Sequence, residues 1–246
     1  MSIPKIIHYC WFGGGPISAE SQKCMESWKK YCPDYKIIEW NDQNFDISTN
    51  RYAQQAYEAN KYAFVSDYVR LAVLYEYGGI YLDTDVELVR PLDELLELPG
   101  FMGFQTNNEV ATGLGFGARK GNSVVQALLR DYDALDFLKA DGSADLTPCP
   151  ERNTRVLQAL GVRKDGTRQS IAEMEIFPAE YFCPMDFYSR ELRVTPKTYS
   201  IHRYAESWKP KPSAVSRILQ RLLKKHYYTW YCPLRGRIEG RLRKRT

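Results

Sequence analysis

A buried helix, a pair of glycines and a short apolar strand follow one another between residues 63 and 86, and this succession constrains the fold more than any other feature. Residues 63–75 are apolar nearly all round, which is typical of a helix enclosed by other elements. Gly78 and Gly79 then provide the end of the helix. A helix that leads directly into a buried strand is typical of an α/β protein, so we expect a central, mainly parallel sheet flanked by helices.

The rest of the chain alternates between strand and helix patterns in the same way. Its 246 residues are enough for one large domain, which we assign to residues 1–211, followed by a tail at 212–246. Ser18 is placed to cap the first helix. Hydrophobic periodicity and turn residues predict strands at 4–12, 35–40, 101–105, 114–118, 174–177 and 198–202, helices at 18–31, 52–60, 63–77 and 123–138, and a loop at 139–155.

Two carboxylates stand at the end of the central strand, separated by one residue. In an extended backbone, Asp83 and Asp85 share a face and can point at a single ion. Hard oxygen ligands of this kind suit Mg²⁺ or Mn²⁺, which in turn binds phosphate oxygens. Because Asp-x-Asp arises often by chance, a solvated strand end is the competing interpretation of the motif alone.

The buried helix contains one acidic and one basic residue before Glu76. These are Asp67 and Arg70, spaced i,i+3 on one face. A mutual ion pair is the simplest interpretation. A buried pair is costly to desolvate, however, and a carboxylate and a guanidinium aimed into a cleft suit a polyhydroxylated ligand. Both interpretations stay open on the sequence alone.

Two further features stand at strand ends. Trp11 lies at the end of the first strand, shortly before three glycines, where a base can stack on its ring, although a core tryptophan is the alternative. His202 ends the last strand, shortly before Ser207 and Trp208, and is a candidate third metal ligand.

Cysteine use and apolar runs indicate the compartment. The six cysteines include no Cys-x-x-Cys pair, so we expect buried thiols in a reducing compartment, with neither a disulfide framework nor a zinc site. The first eleven residues do not form a signal peptide, and no run approaches the about 20 apolar residues of a membrane span. These features favour a cytoplasmic location.

The tail is basic whereas the body is acidic. Residues 213–246 contain ten Lys or Arg and one Glu, a net charge of +9, and the preceding 212 residues contain 24 basic and 29 acidic residues, a net charge of −5. Apolar residues at 215, 218, 219, 222 and 223 form a helical stripe, and an aromatic cluster follows. Such a helix can lie on the anionic inner face of a membrane, or it can pack on the domain. We do not expect nucleic acid as a partner, because the body is acidic.

Taken in this order, the motifs resemble family 32 glycosyltransferases, which include capsular polysaccharide enzymes and yeast-type initiating mannosyltransferases. They are also similar to the catalytic core of the large clostridial glucosylating toxins. The resemblance spans about residues 3–209 and rests on residues 3–14, 66–70, 78–85 and 202–208. It implies a GT-A fold, a nucleotide-sugar donor, a divalent metal (Mn²⁺ or Mg²⁺) and retention at the anomeric carbon. The toxin-like context of Trp11 favours UDP over GDP.

The resemblance also implies roles for individual residues. Asp83 and Asp85 match the Asp-x-Asp that holds the metal with the ribose and diphosphate of the donor, His202 matches a further metal ligand, and Trp11 matches a base-stacking tryptophan. The other implied roles are diphosphate or nucleotide binding by Ser207 and Trp208, sugar binding by Asp67, Arg70 and Tyr81, and catalysis by Asp67, Arg70 and Asp85. No second carboxylate is placed as a nucleophile, and Glu109 with Asn107 or Asn108 are candidates to flank the sugar.

The implied function is transfer of a hexose to a glycan or lipid-linked glycan in surface polysaccharide synthesis. One alternative is a haloacid-dehalogenase-type phosphatase, in which Asp83 is the nucleophile and Asp85 the acid/base. Residues 141–145 mimic its later acidic motif but lack the preceding apolar strand. The other alternative is a non-catalytic sugar-binding module whose carboxylates hold Ca²⁺, which leaves the buried pair of Asp67 and Arg70 unexplained.

Overall fold

The computed structural model describes residues 2–187 and 189–205. The tail and the boundary predicted at residue 211 lie outside these residues. The elements in chain order are β1 (Ile6–Cys10), α1 (Ala19–Tyr31), β2 (Lys36–Trp40), α2 (Arg51–Glu58), α3 (Tyr62–Tyr77), β3 (Gly79–Tyr81), β4 (Val86–Leu88), β5 (Gly100–Phe104), β6 (Val110–Ala111), β7 (Phe116–Ala118), α4 (Ser123–Asp133), α5 (Cys149–Ala159), β8 (Gln169–Ile171), β9 (Met174–Phe177), α6 (Ala179–Phe182) and β10 (Ser200–His202), with single 3₁₀ turns at Ile47–Thr49 and Asp93–Leu95.

The chain divides into two compact units. The first contains every element named above and comprises the described residues up to Met185 and from Arg193 onward. The second includes Asp186–Leu192. Within it, Asp186 Oδ1 accepts hydrogen bonds from the backbone N–H and the hydroxyl of Ser189, at 2.7 and 2.9 Å.

The first unit is built on an eight-stranded sheet with the strand order β2-β1-β3-β7-β5-β9-β8, and β6 pairs with β5. The parallel pairs are β1 with β2, β1 with β3, and β5 with β9. Strands β1, β2, β3, β5 and β9 therefore point one way, and β6, β7 and β8 point the other. The α/β class with a mainly parallel sheet is confirmed.

The register of β1 and β3 places the ends of both strands at one edge of the sheet. Ile7 lies opposite Ile80 in this parallel pair, so both strands end at the same edge of the sheet. Trp11 follows β1 and Asp83 follows β3 at that edge. The carboxyl ends of strands are where open α/β sheets bind their ligands.

Helices cover the sheet on both sides. One buried cluster joins the sheet to α2, α3, α4 and α5, and the other joins it to α1 and α6. Helix α3 is buried along most of its length, as its apolar sequence predicts. Its end also follows the prediction, because Gly78 caps it with a φ of +67°.

Two segments differ from the sequence prediction. Helix α4 ends at Asp133, before the predicted residue 138. The following chain turns inward, where the backbone N–H groups of Phe137 and Leu138 donate to Gln55 Oε1 at 2.8 and 3.1 Å. The loop predicted at 139–155 is wrong beyond residue 148, because α5 begins at Cys149. Prolines at 148 and 150 suggest a loop, yet proline is well tolerated in the first turn of a helix.

Two sequence-based expectations concern the whole chain. The five cysteines within the described residues are all buried and free, as expected for structural thiols. None of the helices in residues 2–187 and 189–205 has the length and apolar character required to cross a bilayer.

Candidate active site

The Asp-x-Asp motif lies in a turn between two strands. Strand β3 ends at Tyr81, and the turn is closed by a hydrogen bond of 3.0 Å from the Val86 N–H to the Asp83 carbonyl. The chain turns here because β4 leaves the main sheet and pairs with β10. The expectation that an extended backbone aligns the two carboxylates is therefore wrong, and the turn brings them together instead.

Strand β10 completes a cluster of three possible metal ligands. His202 lies opposite Val86 in the antiparallel pair, and so beside the residue that follows Asp85. The ligand atoms of Asp83, Asp85 and His202 all lie within 4.8 Å of one another. Two carboxylates and an imidazole form a donor set that suits Mn²⁺ or Mg²⁺.

Hydrogen bonds hold this cluster in place. Asp85 Oδ1 lies 3.2 Å from His202 Nε2, and Asp85 Oδ2 accepts from the Ala205 N–H at 2.8 Å. His202 Nδ1 is buried and has no hydrogen-bond partner among the residues that the structure describes. The nitrogen that lies beside the Asp85 carboxylate is Nε2, and two carboxylates and an imidazole are a usual ligand set for a divalent cation. The residues therefore fit a divalent cation.

The electrostatics of the cluster favour an ionised carboxylate. Burial opposes ionisation of Asp85, but the charge and hydrogen bond of His202 and the Ala205 amide outweigh it and lower the pKa of Asp85 to about 2. Burial alone would lower the pKa of His202, and the contact with Asp85 raises it instead. Asp85 is thus anionic at neutral pH.

Arg70 connects this cluster to helix α3. Its Nη2 atom lies 3.0 Å from Asp67 Oδ1 and 3.2 Å from Asp83 Oδ1, and its Nε donates to the Ser66 carbonyl at 3.1 Å. The guanidinium carbon lies 4.9 Å from the centre of the Tyr81 ring. Arg70 and Asp67 are both buried, so the helix pair forms an ion pair and also contacts the first carboxylate of the Asp-x-Asp motif.

Asp67 differs from Asp85 in its protonation. Burial raises the pKa of Asp67 to about 6, although the charge of Arg70 opposes the shift. A carboxyl with this pKa changes its charge between mildly acidic and neutral pH.

A second wall of the site comes from residues that the sequence did not single out. The Gly113 carbonyl accepts a hydrogen bond of 3.1 Å from the Asp83 N–H, and a Cβ atom at position 113 would lie 1.9 Å from Asp83 Oδ2. Thr112 Oγ1 lies 3.5 Å from Arg70 Nη1 and 3.3 Å from Cys149 Sγ. Asn153 Nδ2 donates to Thr112 Oγ1 and to Cys149 Sγ, both at 3.1 Å.

No motif marks these wall residues in the sequence. The usable signal was Gly113 between strand-like residues, which indicates a close approach of two backbones. Burial raises the pKa of Cys149 to about 12, so its thiol stays neutral beside Arg70.

The other predicted site residues lie in different surroundings. Trp11 is half-buried at the end of β1, and its Nε1 donates to the Gly15 carbonyl at 2.6 Å. Tyr81 is fully buried beneath Arg70. Glu109 lies before β6 and contacts Lys164 Nζ at 3.1 Å. Ser207 and Trp208 lie outside the described residues.

The acidic stretch at 141–145 does not supply free carboxylates. Asp141 Oδ1 accepts from the backbone and the hydroxyl of Ser143, at 2.9 and 2.6 Å. Asp145 Oδ2 forms an ion pair of 2.6 Å with Arg152, and its Oδ1 accepts from Thr147. Both side chains have structural roles, which disfavours the phosphatase interpretation.

Residues 18–101, about a third of the chain, match the family described as glycosyltransferase sugar-binding region containing DXD motif. The resemblance to Asp-x-Asp glycosyltransferases is thereby confirmed. The matched segment contains Asp67, Arg70, Asp83 and Asp85, which are the residues that converge in the structure.

Individual relatives agree with this assignment. The chain is 30% identical over 147 residues to inositol phosphoceramide mannosyltransferase 3 of Schizosaccharomyces pombe, covering 55% of this chain and 39% of that protein. It is 26% identical over 185 residues to alpha-1,4-N-acetylglucosaminyltransferase of Homo sapiens, covering 75% and 47%. The chain thus spans less than half the length of these two relatives. Among solved structures, it is similar to PaToxG Glycosyltransferase, with 22% identity, a TM-score of 0.48 and coverage of 64% and 70%.

Proposed function

We propose that the protein is a metal-dependent retaining glycosyltransferase that takes a hexose from a nucleoside diphosphate sugar, with UDP favoured as the nucleotide. The observation that supports this most is the contact of one guanidinium with two carboxylates. Arg70 binds Asp67 on α3 and Asp83 of the Asp-x-Asp turn. The pair that would bind the sugar and the turn that would bind the diphosphate are thus in direct contact, which supports the proposal.

The chain's own residues have distinct tasks in this proposal. Asp67 accepts hydrogen bonds from hydroxyls of the donor sugar, and Arg70 donates to them through Nη1, whose protein contacts are long at 3.5 and 3.9 Å. Asp83, Asp85 and His202 would hold the divalent cation, Mn²⁺ or Mg²⁺. That cation supplies positive charge beside the diphosphate as negative charge develops on the leaving oxygen. Trp11 stacks on the base.

Retention at the anomeric carbon is a separate part of the proposal and has its own test. The product is analysed by NMR immediately after transfer, before mutarotation or a second reaction. An anomeric configuration equal to that of the donor supports retention. The inverted configuration would overturn retention without affecting the proposed donor site.

The acceptor in this proposal is a glycan or lipid-linked glycan in surface polysaccharide synthesis. The relative from Schizosaccharomyces pombe is named for mannosyl transfer to inositol phosphoceramide, which supports an acceptor attached to a lipid. We further propose that the enzyme works on the cytoplasmic face of a membrane, to which residues 212–246 attach it. Cosedimentation with anionic and neutral liposomes, with and without the residues after Lys211, tests this. Equal binding by the full and the shortened chain, or no binding at low salt, would overturn it.

One assay separates the proposed function from its alternatives. The protein is incubated with Mn²⁺ and a panel of UDP-, GDP- and dTDP-sugars, and free nucleoside diphosphate is measured. Release from at least one donor is expected. A phosphatase would release phosphate from simple esters instead, and a binding module would release neither product.

A further inference from the structure

A polar cavity of about 250 Å³ lies beside α5, apart from the three possible metal ligands. One face of the helix lines it with Glu151, Arg155 and Gln158, which are spaced i, i+4 and i+7. Glu109 and Lys164 line it as well. Apart from Glu109, which the sequence analysis names as a candidate to flank the sugar, none of these residues is among the predicted residues of the donor site.

Two elements connect this cavity to the donor site. Strand β6 starts directly after Glu109, and the chain then reaches Gly113, whose carbonyl binds the Asp83 N–H. Four residue steps separate Glu109 from Gly113. At about 3.3 Å per extended step, their Cα atoms are therefore at most roughly 13 Å apart. A short segment of chain thus joins the cavity lining to the residue that contacts Asp83.

Helix α5 also connects the donor site to the cavity. Its first residue, Cys149, has its Sγ 3.9 Å from Arg70 Nη1. Further along the helix, Thr154 Oγ1 accepts a hydrogen bond of 2.8 Å from the Val110 N–H, which attaches α5 to β6. The beginning of the helix thus contacts the sugar-binding pair, and its middle lines the cavity.

The lining has many polar groups and nearly balanced charge. Lys164 pairs with Glu109 at 3.1 Å, and Arg155 pairs with Asp131 at 3.0 Å. An anionic phosphate would have to displace these pairs, whereas uncharged hydroxyls can bridge them without a change in charge. The cavity therefore suits a polyhydroxylated, uncharged ligand.

Arg152 provides independent support for a ligand. It lines the cavity with 3% of its surface exposed, and it pairs through Nη2 with Asp145. Its Nε is buried and lacks a hydrogen-bond acceptor within the part of the chain that the structure describes. A buried donor without an acceptor is costly, so a ligand hydroxyl that displaces the groups covering this nitrogen would gain a hydrogen bond from it.

We propose that this cavity binds an uncharged saccharide unit of the acceptor, next to the sugar that receives the hexose. The proposal rests on the proposed function. It predicts that residues of the α5 face determine acceptor recognition and leave donor cleavage unchanged. The saccharide can belong to a free glycan or to a lipid-linked one, which methyl and octyl glycosides represent in the test.

The test uses the full chain and a variant with two exposed substitutions, Glu151→Gln and Gln158→Ala. The matched control carries Glu26→Gln and Gln22→Ala, which are exposed on α1 at the opposite face of the sheet. Binding of uncharged methyl glycosides and octyl glycosides is measured by saturation-transfer NMR in the presence of UDP and Mn²⁺. Donor hydrolysis to water, which needs no acceptor, is measured in parallel.

We expect the wild type and the α1 control to bind at least one glycoside of the panel, and the α5 variant to bind it at least tenfold more weakly. The affinity of the α5 variant for methyl and for octyl glycosides should fall by the same factor. Its rate of donor hydrolysis should stay within twofold of that of the wild type. Absence of glycoside binding by the wild type, equal binding by all three proteins, or a loss confined to octyl glycosides would overturn the proposal. Absence of donor hydrolysis by the wild type would count against the proposed function instead.

Discussion

Arg70 and Asp83 form an ion pair of 3.2 Å between the middle of helix α3 and the turn that follows strand β3. Arg70 also binds Asp67, one turn earlier on the same helix. The charged pair of the helix and the Asp-x-Asp turn, which are separate motifs in the sequence, are therefore one structural unit. A change in any of these side chains should affect both sugar binding and diphosphate binding.

The first prediction concerns Asp67. Substitution Asp67→Ala leaves Arg70 with one carboxylate fewer and removes an acceptor for sugar hydroxyls. Breaking a buried ion pair costs about 3 kcal/mol or more of folding stability, so the variant should melt earlier than the wild type. Because the contacts with the sugar hydroxyls are lost as well, we expect kcat/KM for donor cleavage to fall at least roughly 100-fold. Donor binding, measured by titration calorimetry on the folded variant, should weaken too. A variant that melts early but binds donor normally would show that Asp67 is only structural.

The second prediction concerns the metal. Asp85→Asn removes a charge that His202 and the Ala205 N–H stabilise, while the amide can still accept a hydrogen bond. We expect nucleoside diphosphate release to be abolished while the variant still folds. EDTA should abolish release by the wild type, and added Mn²⁺ should restore it. Full activity of Asp85→Asn, or of the wild type in EDTA, would contradict the metal site.

The third prediction concerns Gly113. A methyl group there would lie 1.9 Å from Asp83 Oδ2, so Gly113→Ala must displace this carboxylate or the backbone beside it. We expect donor cleavage to fall at least tenfold and Mn²⁺ affinity to weaken. Gly15→Ala is the matched control, because a Cβ atom at position 15 meets no atom within 4 Å in the described structure. Equal activity of the two variants would disprove the close approach.

The fourth prediction concerns pH. Burial raises the pKa of Asp67 from 3.8 to about 6 in the folded state. Between these values the folded protein binds more protons than the unfolded chain, so this group stabilises the fold below about pH 4 and its contribution is lost as pH rises to about 6. The melting temperature of the wild type should therefore decline, relative to that of Asp67→Asn, from pH 4 to 6 and stay level above it. If the melting temperatures of both proteins changed with pH in the same way, this would contradict a buried Asp67 carboxyl with a raised pKa.

The sequence predicted those parts of the fold that depend on local patterns. Helix α3 was recognisable because its apolar surface is continuous and Gly78 ends it, and Ser18 caps α1 through a hydrogen bond of 3.0 Å to the Ser21 N–H. Helix α5 was missed because its prolines also occur in loops. The end of α4 was predicted too late in the chain. The backbone N–H groups of Phe137 and Leu138 donate to the side chain of Gln55, which is distant in the sequence, so no local pattern shows that the helix ends before them.

In the candidate site, too, local contacts were predictable and contacts between distant segments were not. The ion pair of Asp67 and Arg70 followed from their i,i+3 spacing, because helix geometry is local. The turn at Asp83 depends on the pairing of β4 with β10, more than 100 residues apart in sequence, and no local pattern contains that information. The contacts of Thr112, Cys149 and Asn153 likewise join separate segments, so no local pattern in the sequence predicts them.

The most direct test of the account is nucleoside diphosphate release by the wild type and by Arg70→Lys, measured in Mn²⁺ across the donor panel. Lysine keeps the positive charge but lacks the planar fork of donors with which Arg70 contacts Asp67 and Asp83 together. The account predicts metal-dependent release by the wild type and a loss of at least roughly 100-fold in the folded Arg70→Lys variant. Release by Arg70→Lys at the rate of the wild type would contradict the central claim that this guanidinium joins sugar binding to diphosphate binding.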